Sequence, residues 1–387
     1  MPSLSMRLKQ LTFIEAAILY TLNNLLEKIP SFLKPFLPQL QRTFAKSLAD
    51  TSSELLRTRA AKALGTLITM TPRVDPLIAE LVTGSKTPDS GVKNAMLKAL
   101  YEVVSKAGSN MSETSRNSIL GIIDTEVDEG DDSMVITNAR LLGALIKVLP
   151  PDIAATLIKH RVLTTHLSKQ SILALNAVLV ESPESLTDSF SDETASTICH
   201  AIKDLQPFIS ENAILAAGKY LLTPSSTKDF ETMKPIFETL APVIAPGNPA
   251  DARRLALVVV RTVSRQHNDL VRPHLSILTP PIFASVRDLV IPVKLAAEAA
   301  FLAIFSVVEE DGAVFEKYIA GSGSSSLSPQ QKRMMQDYFK RVALRLAQGA
   351  RERKEAEGSQ GGLGLASDEV EDEREVWSVG KVDLGGV

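Results

Sequence analysis

One pattern recurs seven times, in degraded form, along the 387 residues: an apolar residue, a cation, two spacers, then small residues and an Ala-Leu-Gly close. The clearest copy is Leu56-Arg57-Thr58-Arg59-Ala60-Ala61-Lys62-Ala63-Leu64-Gly65. Val92-Lys93 leads to Ala95, Ala99 and Leu100, and Val135-Ile136 to Ala139, Leu142 and Gly143. Leu167-Ser168-Lys169 leads to Ile172 and Ala174, and Ile209-Ser210 to Ala213, Ala216 and Ala217. Ala252-Arg253 leads to Ala256, and Val293-Lys294 to Ala296, Ala297 and Ala300. The anchor positions 57, 93, 136, 169, 210, 253 and 294 lie 36, 43, 33, 41, 43 and 41 residues apart. A unit this short cannot bury its apolar face alone, so such a chain must stack its repeats side by side.

Ala and Gly at helical spacing let two helices approach closely, while Leu and Val on the same stripe fill the gap. Each recurrence therefore reads as one helix, and a second helical stretch precedes each. These are Leu33–Ala49, Val74–Thr83, Ser112–Thr125, Pro151–Arg161, Asp192–Leu205, Phe230–Ile244 and Val271–Val286. Ser112 and Asp192 are candidate caps for the preceding helices, and Asp50, Asp89, Asp132 and Asp251 for the recurrent ones. Aromatic residues are only 5% of the chain, thin for a β-sandwich or barrel. The period lies near the roughly 40–47 residues of HEAT and armadillo repeats. The expected fold is an all-α, HEAT/armadillo-like right-handed α-solenoid of about seven helix pairs.

The ends differ from the middle. Residues 1–31 read as an unpaired N-terminal helix of a truncated repeat, with Leu8, Leu11, Ile14, Ile18, Leu22 and Leu25 on one stripe. The array spans 32–320. Residues 321–356 form a linker and a basic helix carrying Lys332, Arg333, Lys340, Arg341 and Arg345. Residues 357–387 read as a disordered acidic and Gly-rich tail.

The best-formed repeat resembles a known family. Pro35-Phe36-Leu37-Pro38-Gln39-Leu40-Gln41-Arg42-Thr43-Phe44 leads to Lys46-Ser47-Leu48-Ala49-Asp50, then to Leu56-Arg57, Ala60-Ala61 and Ala63-Leu64-Gly65. Val74-Asp75-Pro76-Leu77, Glu80-Leu81, Gly84 and Gly91-Val92-Lys93 follow. This is similar to the C-terminal HEAT region of the general-control (Gcn-type) translational activators. One residue more than usual separates Asp50 from Arg57. The resemblance implies a fragment of a much longer cytoplasmic protein that associates with ribosomes. It also implies binding to the RWD domain of the amino-acid-starvation kinase acting on translation initiation factor two alpha, and help in activating that kinase. Another HEAT adaptor, of nuclear-transport or phosphatase-scaffold type, is the alternative.

Charge and chemistry agree with a scaffold. The net charge of −3 gives no global positive field for non-specific nucleic-acid binding. Nucleic acid is therefore expected only through the ribosome. The single cysteine, Cys199, permits no intrachain disulfide. No apolar run of membrane-spanning length occurs, and no phosphate-loop, His-Glu-x-x-His or Gly-x-Ser-x-Gly motif is present. No catalytic residue, cofactor, metal or small-molecule substrate is expected. The acidic run Asp124, Glu126, Asp128, Glu129, Asp131 and Asp132 fails the spacing of a calcium loop and reads as a solvated turn. Arg254, Arg261 and Arg265, at i, i+7 and i+11, share one helix face and are the candidate partner-binding residues. Asp50, Arg57, Gly65, Lys93, Arg253 and Lys294 are expected to serve the stacking of the repeats, the cations by hydrogen-bonding between neighbours.

Overall fold

A computed structural model of the chain describes residues 4–71, 73–123, 131–164, 166–187, 189–223, 230–305, 313–321, 327–341 and 344. The chain divides into two compact units, Met1–Val162 with Lys169–Ser182, and Leu163–Ser168 with Pro183–Val387. No strand occurs among the described residues beyond an isolated bridge between Pro246 and Asn248. The fold is all-α and HEAT-like, with the anticipated helix pairs in sequence order.

Unit 1 opens with α1 (Leu4–Lys28) and the short α2 (Pro30–Leu33). Four pairs follow: α3 (Leu37–Leu48) with α4 (Glu54–Ile68), α5 (Asp75–Gly84) with α6 (Ser90–Ala107), α7 (Glu113–Ile123) with α8 (Asp132–Ile146), and α9 (Pro151–Leu157) with α10 (Lys169–Glu181). The second helices form one row, α1 against α4, α4 against α6, α6 against α8 and α8 against α10. The first helices form the other layer. In the fourth pair, the π-helical turn Ile158–Val162, rather than α9 itself, makes the main contact with α10.

Unit 2 begins with α11 (Glu184–Thr187) and holds α12 (Ser191–Ile202) with α13 (Pro207–Leu222), then α14 (Phe230–Ile244) with α15 (Ala250–Gln266). The short α16 (Asn268–Val271) leads to α17 (Leu275–Ser285), which pairs with α18 (Ile291–Ile304), and α19 (Ala313–Ala320) follows. Here α13, α15 and α18 form one row, and α12, α14 and α17 the other.

Small residues set how closely the second helices stack. A Cβ on Gly65 would sit 2.6 Å from the Glu102 Cβ, and one on Gly143 would sit 2.9 Å from the Ala177 carbonyl carbon. These glycines bring α4 onto α6 and α8 onto α10 more closely than any side chain allows. Burial is correspondingly deep: every residue from Ser171 to Leu179 on α10 is buried.

Hydrogen bonds repeat at the period of the sequence. Ser112 Oγ and Ser115 Oγ donate to Asp75, 37 and 40 residues back. Arg161 donates to the Ile123 carbonyl at a separation of 38, Asn94 to the Ser133 hydroxyl at 39, and Ser285 to the Ile244 carbonyl at 41. Arg253 bonds within its own turn and to the next. Its Nε donates to the Asn248 carbonyl in its own turn at 3.0 Å, and its Nη1 pairs with Asp288 in the next turn. The two side chains are 10% and 7% exposed. Arg57 donates to the Asp50 carbonyl at 2.8 Å, and its guanidinium abuts Gly91 of the next repeat. Lys93 is half-buried and Lys294 exposed, and neither side chain hydrogen-bonds among the described residues.

The caps depart from expectation. Asp89 caps α6, accepting from the Val92 N–H at 2.7 Å. Ser53, not Asp50, caps α4; Asp50 instead accepts from Ser52 and Ser53 and organises the preceding turn. Asp131, not Asp132, caps α8. Asp251 and Asp192 lie inside the first turns of α15 and α12, where they complement the helix dipole without capping. Pro249 occupies the N-cap position of α15, immediately before Ala250, and offers no side-chain cap. Ser112 does accept from the Ser115 N–H.

At the N-terminal end, Ala16, Leu19, Asn23 and Leu26 are buried and α1 packs on α4, whereas Ile14, Ile18 and Leu25 of the expected stripe are exposed and Leu22 is half-buried. The side chains of Leu8 and Leu11 lie outside the described residues, as do 124–130, Arg345 and the tail. The helical segment 329–341 exposes Arg333, Lys340 and Arg341 but buries Met335 and Phe339. Phe339 stacks on Phe315 with centroids 4.1 Å apart, within a cluster that includes Phe301 and Phe305.

The same substitution should therefore have opposite signs at two helical glycines. Gly143→Ala should destabilise by about 1–3 kcal/mol through overpacking. Gly121→Ala, with nothing within 4 Å of the added Cβ, should stabilise by about 0.5–1 kcal/mol. Denaturant midpoints at unchanged slope measure both. Arg253→Ala should cost about 3–5 kcal/mol by leaving the Asp288 carboxylate unpaired, and adding Asp288→Leu should recover part of it. The hydrogen bonds from Ser115 and Ser112 hold the Asp75 carboxyl below its ordinary 3.8. A depressed folded-state value stabilises above the unfolded value and is lost as pH falls through the folded one. Asp75→Asn should accordingly flatten the loss of stability below about pH 4, as read by thermal melts across an acid series.

Candidate protein-binding surface

The second helices carry charged and polar side chains that pair with one another. In unit 1 these are cross-linked. Lys98 pairs with Glu54 at 3.4 Å across one repeat, Lys106 with Glu102 at 3.2 Å along α6, and Lys169 with Asp132 at 2.9 Å. Tyr101 donates its hydroxyl to Glu181 at 2.7 Å, across 80 residues and past the intervening α8. Burial, then the Glu181 carboxylate, pushes the Tyr101 phenol up to about 12. It therefore remains a proton donor throughout the neutral range. The half-buried Arg140 on α8 opposes that rise, and its Nε is buried without a hydrogen-bond partner among the described residues.

In unit 2 the three arginines singled out by spacing all lie on α15. Arg254 and Arg261 are half-buried and Arg265 is exposed, and each is engaged by neighbouring groups. The set is thus a partly embedded stripe rather than a wholly solvated one.

Tyr101, Glu181 and Arg140 carry no signal in the sequence. Their proximity comes from two successive close approaches of helices, and only the doubled repeat period hints at the 80-residue separation. Groups with chemical potential elsewhere are occupied structurally. Burial raises the Cys199 thiol above its ordinary value, so it is not a ready nucleophile. His274 is buried with its ring 4.7 Å from that of Phe237. Among the described residues no three His, Cys, Asp or Glu side chains are grouped to hold a metal, and no helix is long and apolar enough to cross a membrane.

Residues 75–357 match the family model described as "Stalled ribosome sensor GCN1-like, HEAT repeats". The chain is 42% identical, over 96% of its length, to the "eIF-2-alpha kinase activator GCN1" of Saccharomyces cerevisiae, of which it spans 15%. It is 30% identical over 82% of its length to "Protein ILITYHIA" of Arabidopsis thaliana, spanning 12% of that protein. A solved structure of a Kap121p mutant superposes with a TM-score of 0.55 at 14% identity, covering 81% of this chain and 34% of that one, which is a likeness of fold. Matched across most of its length both by the family model and by a relative at 42% identity, the chain belongs to the stalled ribosome sensor GCN1-like family of HEAT-repeat proteins.

Proposed function

We propose that the chain is a non-enzymatic, cytoplasmic HEAT scaffold of translational control. In this reading it binds the RWD domain of the amino-acid-starvation kinase and helps activate that kinase in association with ribosomes. The observation that carries the reading is the 42% identity, over 96% of the chain, to a protein named for activating an eIF-2-alpha kinase. The polar second-helix row supports it. Within each unit, stacked second helices offer a continuous face, which suits a small folded partner. Repeats 32–108, which carry the sequence resemblance described above, are the proposed primary contact, with Arg254, Arg261 and Arg265 as a second candidate contact. The half-buried Cys199, whose thiol burial raises above its ordinary value, and the buried His274, packed against the Phe237 ring, favour a binding role over catalysis.

A pull-down of the isolated RWD domain by the whole chain tests this. Binding is expected, and it should survive removal of the acidic tail from residue 357 onward. Reversal of all three arginines to Glu should weaken binding and reduce its salt sensitivity if the stripe is in contact, since exposed charges are screened within roughly 8 Å at physiological ionic strength. Binding unaffected by the triple reversal rejects the stripe and leaves repeats 32–108. Absence of binding by a folded chain rejects the direct-kinase reading.

A further inference from the structure

Unit 2 contains a cleft of about 610 Å³ at the edge where the α12–α13 and α14–α15 turns lie side by side. Its size falls within the range of about 300–1,000 Å³ typical of ligand sites. The floor is formed by the buried Ile202 and Ala252, and the walls by Pro207, Pro242 and Val243. Leu205 stands at the mouth, 98% exposed.

The walls are fixed by local chemistry. Gly247 adopts φ of 108°, a left-handed conformation suited to glycine, and turns the chain between α14 and α15. Asn248 then donates from its side chain to the carbonyls of Pro242 and Ala245 at 2.8 and 3.1 Å, tying the turn to the end of α14. Ser210 donates to the Ile202 carbonyl at 2.8 Å, and that donor is used internally. A preformed wall reduces the ordering needed when a ligand enters.

What remains around the apolar floor is mainly acceptors. Asp204, Glu211 and Glu238 line the cleft with a single cation, Lys203. One Asp204 oxygen accepts from the Gln206 N–H at 2.8 Å, and Glu211 is engaged by a neighbouring group. That leaves Glu238 and the second Asp204 oxygen as the acceptors for a ligand. Glu238 is exposed and makes no ion pair among the described residues. Pro242, inside α14, has no N–H to return to the Glu238 carbonyl four residues earlier. An apolar slot ringed by carboxylates selects an apolar side chain with positive charge next to it.

We propose that this cleft binds a basic peptide segment, seating an apolar side chain against Pro242 and Val243 and placing Lys or Arg against Glu238 and Asp204. The site is independent of the kinase contact proposed above. Its test uses the whole chain and a fluorescein-labelled nonapeptide of alternating Arg and Leu, with an alternating Glu and Leu peptide as comparison, read by fluorescence anisotropy. Saturable binding of the basic peptide alone is expected. Glu238→Lys should weaken it about tenfold or more, as should filling the slot with Val243→Trp. Leu205→Lys, at a site too exposed to affect folding, should also weaken it by removing an apolar contact and adding a like charge. Glu316→Lys, an exposed reversal outside the cleft, should leave it unchanged. Circular dichroism melts confirm that each variant is folded. No binding by the basic peptide overturns the proposal. So does equal binding of the acidic peptide, or equal weakening by Glu238→Lys and Glu316→Lys.

Discussion

The close approach of successive second helices is the constraint on which the rest depends. Each repeat supplies too little apolar surface to stand alone, so stability is shared across interfaces between neighbours. At two of those interfaces the spacing is set by a missing side chain: Gly65 admits Glu102 of α6, and Gly143 admits the backbone of Ala177 on α10. Once these distances are fixed, the hydrogen bonds follow. Donors and acceptors meet at separations of 37 to 41 residues because one repeat of chain lies between them. Arg253 is the most developed case, holding its own turn by a carbonyl and the next turn by Asp288.

The period, the helix pairing and the row of small residues were legible before any coordinates, because a repeating burial pattern must leave a repeating sequence. The caps were less so. Asp50 and Ser53 lie three residues apart in the same turn, and Asp131 and Asp132 are adjacent, so composition identifies the turn but not the accepting side chain. The stripe on α1 is largely exposed, as an unpaired helix would leave it, but which residues α4 covers is not legible in the sequence. Apolar residues occur around much of that helix, and only α4 decides that Leu19 and Leu26 are covered while Ile14 and Ile18 are not. The segment 329–341 read as basic because its exposed cations outnumber its buried anchors, yet Phe339 ties it to the aromatic cluster of unit 2.

Surface chemistry was harder to read than the core. The spacing of Arg254, Arg261 and Arg265 placed them correctly on one helix, but helical spacing says nothing of how far neighbouring elements rise around them, and two are half-buried. The Tyr101–Glu181 contact and the cleft beneath Leu205 both arise from how separate repeats meet, and neither has a local motif. In a repeat protein the core is therefore encoded locally and redundantly, whereas recognition surfaces are encoded once, by residues distant in sequence.

Tyr101 and Glu181 join α6 to α10 over the top of α8, whereas the bonds of Asp75, Asn94 and Lys169 link adjacent repeats. Neighbouring helices can roll slightly on one another, since their interface is a packing of small side chains. A tie that skips a repeat sums those small rotations, and opening either joint lengthens it. Mechanically it is a tendon across three beams. Its phenol keeps its proton throughout the neutral range, so acidity changes near pH 7 do not slacken it. Tension along unit 1 would load this bond ahead of the apolar interfaces, and its rupture would mark the point where elastic flexing gives way to separation of the helices.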